Sequence, residues 1–159
     1  METVYLETTV FSYLTSRPSR DVVVAGHQQT TAEWWARRRD EFACVISDFV
    51  LLELGRGDAE QVATRVRVAK VFTQLKTTPE IYQLSEHLLM AGAFPRAAEG
   101  DALHLALALT GRVDYLMTWN CAHLANARLW PKMKKVAEES GWRSPVICTP
   151  DELMGELGR

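Results

Sequence analysis

Four side chains with ligand oxygens stand where apolar runs give out. They are Glu7 after Val4-Tyr5-Leu6, Glu53 within Phe49-Val50-Leu51-Leu52-Glu53-Leu54, Asp101 opening Ala102-Leu103-His104-Leu105-Ala106, and Asn120 after Tyr115-Leu116-Met117-Thr118-Trp119. Half-burying a carboxylate without compensation costs several kcal/mol, so oxygen donors on otherwise apolar elements point to a hard cation such as Mg²⁺ or Mn²⁺. A site of that kind points in turn to chemistry on phosphate.

The elements that must position these groups follow from periodicity. Val4-Tyr5-Leu6, Phe42 to Ser47, Tyr115 to Thr118 and Val146-Ile147-Cys148 read as short buried strands, with Thr8-Thr9 a turn into the next element. Asp21 caps a helix running to about Arg39 and anchored by Trp34-Trp35, and Ser47-Asp48 caps the helix that carries Glu53, broken by Gly55 and Gly57. Ala59 to Leu75 is an amphipathic helix, Pro79 to Ala91 another, and Asp101 to Leu109 a very apolar one stopped by Gly111. Cys121 to Ser140 reads as a long helix with Pro131 as its weak point, and Asp151 as the cap of a short terminal helix. Apolar strands alternating with helices predict an α/β fold, a mainly parallel sheet of four to five strands with helices on both faces. Ligands gather beyond the carboxyl ends of such strands, which sets Glu7 and Asn120 on one rim, with Asp101 on a helix feeding it.

The bulk numbers narrow the class. A chain of 159 residues with 47% hydrophobic content has the length and apolar material of one domain, 1–159. A net charge of −2 excludes a global basic field, so nucleic acid must be held by local patches. Cys44, Cys121 and Cys148 are odd in number and widely spaced, which suits neither a disulfide framework nor a thiolate zinc site. A cytoplasmic location is expected, with no secretion signal and no membrane anchor.

Taken together, Leu6-Glu7-Thr8-Thr9, Ser47 to Glu53, Asp101-Ala102-Leu103-His104-Leu105-Ala106 and Leu116-Met117-Thr118-Trp119-Asn120 follow the order of the PIN-domain family, which the chain resembles from residue 4 to about residue 150. The resemblance is closest to a branch of VapC-type toxins that shares Glu-Thr-Thr, Arg-Pro-Ser-Arg-Asp, Trp-Trp, Thr-Trp-Asn-Cys and Val-Ile-Cys-Thr-Pro. The commoner pattern has Asp in place of Glu7 and often in place of Asn120. The resemblance implies a single PIN-like domain, a metal-dependent endoribonuclease acting on RNA, a homodimer and a protein antitoxin. It assigns Glu7, Glu53, Asp101 and Asn120 to catalysis and to one or two Mg²⁺ or Mn²⁺ ions, with Asn120 giving a neutral oxygen. An amide there removes one negative charge and weakens metal binding, while the longer Glu7 reaches further.

Around that set, Thr8 and Thr118 can orient water or carboxylate, and Arg17 and Arg20, in a loop after the first strand, can hold a phosphate near Glu7. The apolar setting of His104 reads as a core histidine, His27, His87 and His123 lack zinc spacing, and Asn126 reads as a surface amide. The rival function is a non-catalytic PIN-like module that binds RNA or protein through a weakened metal site. A phosphatase or nucleotidase comes third. No GxxxxGK[ST] or DxD motif supports kinase or phosphoaspartate chemistry.

Overall fold

The computed structural model describes residues 1–155. Five strands form one sheet: β1 (Thr3–Leu6), β2 (Ala43–Ser47), β3 (Thr73–Leu75), β4 (Tyr115–Met117) and β5 (Val146–Cys148). Their order is β3-β2-β1-β4-β5, and every pairing is parallel. Seven helices join them: α1 (Thr8–Thr15), α2 (Val22–Arg37), α3 (Asp48–Leu54), α4 (Ala59–Ala69), α5 (Pro79–Met90), α6 (Glu99–Thr110) and α7 (Trp130–Glu139).

The chain first moves outward from β1 to β2 and β3, then returns to lay β4 and β5 on the other side of β1. Right-handed crossovers in two opposite directions put their helices on opposite faces. Accordingly α1 packs on α2, α3 and α4, whereas α5 packs on α6 and α7. The reversal leaves a switch point between β1 and β4, where open α/β sheets bind ligands. Val4, Tyr5, Leu6, Leu116 and Met117 there are fully buried, as strands covered on both faces require.

Three local expectations are corrected. The helix predicted to run from Ala59 to Leu75 ends at Ala69, and Thr73–Leu75 instead pairs with Val45, Ile46 and Ser47 of β2, satisfying backbone groups that a helix end would leave open. The predicted helix from Cys121 begins only at Trp130, because Pro131 lacks an N–H and belongs in a first turn rather than mid-helix. At the end described, Thr149 rather than Asp151 caps a 3₁₀ turn over Pro150–Leu153, in a reciprocal box with Glu152. Trp34 and Trp35 anchor α2 as expected: Trp34 is fully buried and stacks on Phe42, and Trp35 meets Phe11 and Phe72 edge-on. Gly111 closes α6 where a Cβ would stand 2.6 Å from Leu75 Cδ1, so that turn and β3 are packed too closely for a side chain. Among the described residues, no helix is long and apolar enough to cross a membrane.

Candidate metal centre

Glu7 is the residue at which β1 becomes α1. It is 4% exposed, and its Oε2 caps the helix by accepting the Thr9 N–H at 3.1 Å. The same oxygen accepts the Thr9 hydroxyl at 2.5 Å and the Thr118 hydroxyl at 2.8 Å, the latter from the strand end across the switch point. Thr9 Oγ1 in turn accepts the Trp119 N–H at 2.8 Å. One carboxylate oxygen is thereby clamped by both central strands, while Oε1 faces inward, 3.7 Å from His104 Nε2.

Ser47 caps α3 by accepting the Val50 N–H, which starts the helix at the end of β2 and aims Glu53 back at the rim one and a half turns later. Glu53 Oε1 accepts the Thr8 hydroxyl at 2.5 Å and lies 2.5 Å from His104 Nε2. His104 is fully enclosed on α6, with Nδ1 2.8 Å from the Tyr5 hydroxyl, which itself lies 2.8 Å from Ser47 Oγ. Burial pushes the His104 imidazole toward neutrality, but the bond to Glu53 and the charges of Glu7, Glu53 and Asp101 outweigh it and raise its pKa. Burial raises the Glu53 carboxyl, yet His104 and the Thr8 hydroxyl outweigh that and lower it. Tyr5 is held neutral, its pKa raised well above the phenol range chiefly by burial.

Glu7, Glu53 and His104 each offer a ligand atom within 4.8 Å of the others. Two carboxylates and an imidazole are a donor set that a divalent cation such as Mn²⁺ fits, the carboxylates suiting Mg²⁺ equally. In the protein alone, the His104 proton compensates part of the acidic charge that a cation would otherwise balance.

The four predicted ligands do not all converge. Asp101 lies in the first turn of α6, but the N-cap position is Ala98, so helix capping does not explain the carboxylate. Its Oδ1 accepts the Asn120 side-chain N–H at 2.8 Å, and its Oδ2 lies 3.0 Å from His123 Nδ1. Asn120 Oδ1 is already taken by the His123 N–H at 3.1 Å. In this arrangement Asn120 therefore presents a donor to Asp101 and spends its oxygen on its own turn, in place of the neutral ligand expected. Asp101 and Asn120 form a neighbouring acidic corner, one helical step from His104.

Thr8 and Thr118 do hold carboxylates, as their positions beside the acids suggest. Arg17 and Arg20 follow α1, whose eight residues span about 12 Å along the helix axis beyond Glu7. Among the described residues neither forms an ion pair, and Arg17 borders a separate hollow with Tyr13 and Gln28. Burial, followed by the charges of Asp151 and Glu152, raises the Cys121 thiol pKa and so disfavours its thiolate.

Sequence reasoning missed His104, Thr9, Tyr5 and His123. The three-residue step from Asp101 to His104 was the available signal, because it puts both on one helical face. Nothing local marks Tyr5 or His123, whose partners lie 42 or 99 and 22 residues away. Comparison of the chain with protein-family models, curated proteins and solved structures finds no match.

Proposed function

We propose that the chain is a Mg²⁺- or Mn²⁺-dependent endoribonuclease of the PIN-domain kind, acting as the toxin of a toxin–antitoxin pair, with RNA as substrate, a protein antitoxin and a homodimeric state. The observation that supports the reading is the convergence of Glu7, Glu53 and His104 at the switch point of a parallel sheet. Those three residues hold the ion, and Asp101, steered by Asn120 and His123, extends the acidic rim beside them.

A bound divalent ion supplies charge stabilisation at phosphate oxygens and lowers the pKa of water. The chain's own contribution is preorganisation. Thr9 and Thr118 immobilise one oxygen of Glu7 so that the other is aimed without reorganisation, and Thr8 steadies the Glu53 oxygen that faces His104. His104 keeps Glu53 ionised and can release it when another cation takes over the charge. Asp101 stands beside them, oriented by an amide and an imidazole, where it can accept a proton or position water.

The rival, a non-catalytic PIN-like module, draws on the same histidine, since His104 already compensates Glu53 without a metal. Incubating the protein with mixed RNA and Mn²⁺ or Mg²⁺ decides between them. Cleavage that is abolished by chelator, and lowered strongly by Glu53→Gln and less strongly by Asp101→Asn, supports the nuclease. RNA retained without cleavage supports the module.

A further inference from the structure

Glu53 has two environments. Its Oε1 belongs to the acidic centre, while its other side lines an open groove of ≈ 710 Å³ between α3, α5 and α6. That volume is in the ~300–1,000 Å³ range of small-molecule sites. Resting on the ribonuclease reading above, we propose that this groove is a subsite for an unpaired nucleobase of the RNA whose phosphate the acidic centre engages.

The groove has the parts such a base requires. Its floor is Phe49 and Leu103, with Phe49 fixed against the His104 ring at a centroid distance of 4.8 Å. Its lips are Tyr82 on α5, 58% exposed, and Leu52 on α3, 59% exposed, two large side chains left facing water on either side of one cleft. A flat ring between a tyrosine face and aliphatic walls is how unpaired bases are held. Gln83 and Glu99 at the same lining offer donors and acceptors to a base edge.

The lining offers one cation, Arg56, among three carboxylates, Glu53, Glu86 and Glu99. Arg56 lines the groove three residues after Glu53 and forms no ion pair among the described residues. Glu86 is already paired with Arg96 at 2.8 Å. Gly100 forms the wall nearest the centre: a Cβ there would stand 3.5 Å from Phe49 Cζ and 3.6 Å from Glu53 Oε2, so the α6 backbone leaves the passage clear of a side chain. A phosphate at Glu53 and a base on Tyr82 are joined by one continuous surface.

The test is the affinity of a fluorescein-labelled short single-stranded RNA of mixed sequence, measured by anisotropy in Ca²⁺ to suppress turnover, beside a probe with the same backbone and no bases. Tyr82 is exposed, so its substitutions leave folding intact. Tyr82→Ala should weaken binding of the intact probe about tenfold, Tyr82→Phe should restore it, and the abasic probe should not respond to either. Leu52→Ser should weaken binding of the intact probe by a smaller factor. Unchanged affinity in Tyr82→Ala, an equal loss with the abasic probe, or a concentration-dependent dimer dissolved by Tyr82→Ala with RNA binding intact would each overturn the subsite. Tyr82-dependent binding without any cleavage in Mn²⁺ would support the subsite while removing the nuclease reading, and cleavage with binding indifferent to Tyr82 would do the reverse.

Discussion

Two acidic corners share one rim of the sheet and are built differently. In the first, Glu7 and Glu53 are clamped by three threonine hydroxyls, with the fully enclosed His104 between them. In the second, Asp101 and His123 are 16% and 34% exposed, and their partners come from one turn after β4. The corners differ in their imidazoles and hydroxyl clamps, since Glu53 at 24% is no more buried than Asp101: an enclosed His104 is stable only with its partners already in place, whereas the part-exposed His123 borrows from water. The first corner is thus suited to gripping an ion in fixed geometry, and the second to adjusting around a substrate.

Glu53→Gln puts that contrast to its strongest test. It should reduce RNA cleavage by at least about 10³-fold, because a divalent ion contributes several kcal/mol to such reactions. In the unmodified protein, saturating Mn²⁺ should raise the thermal midpoint by roughly 5–10 °C, and the shift should vanish in the variant. Asp101→Asn comes next, with cleavage lowered about 10²-fold but the Mn²⁺-induced shift retained. If that shift disappears as fully as in Glu53→Gln, the two corners are a single metal site and the distinction fails.

Thr118→Val asks whether the clamp matters. Metal affinity, followed by calorimetric titration, should fall about 10- to 100-fold, and Glu7→Asp should behave alike because the shorter side chain leaves the three donors to its Oε2. Unchanged affinity in both would mean that the clamp has no bearing on the ion.

Acidity gives a subtler probe. Glu53 titrates below the ordinary carboxyl range and His104 above the ordinary imidazole range. Without metal, their pairing contributes fully between those two ordinary values. It fades as pH falls through the lowered Glu53 value and as pH rises through the raised His104 value. His104→Gln should flatten the alkaline arm of the stability profile, by a few °C at most. His123→Ala should be mildest, within about threefold on cleavage, because its contact with Asp101 is half exposed.

Four of the five strands are legible in the sequence because each is a short run of large apolar residues between polar or turn-forming neighbours. β3 is not, since Thr73-Gln74-Leu75 continues the amphipathic spacing of α4 and becomes a strand only through its pairing with β2. The carboxylates are legible as polar atoms on apolar elements, and Thr8 and Thr118 as their immediate neighbours. His104 is harder, because a core histidine and one bridging two acids share the same apolar helix pattern and differ only in what other elements bring to it. The roles of Asn120 and Arg17 depended on the turn over 121–129 and on the length of α1, both of which lie below what local spacing resolves.

One hydroxyl that fixes Glu7 belongs to Thr118, so this carboxylate waits for a strand end made 111 residues later. During synthesis, and in any fragment ending earlier, the pocket in this form does not exist. Whatever the pocket grips, a polypeptide that has not yet reached residue 118 cannot grip it with this geometry.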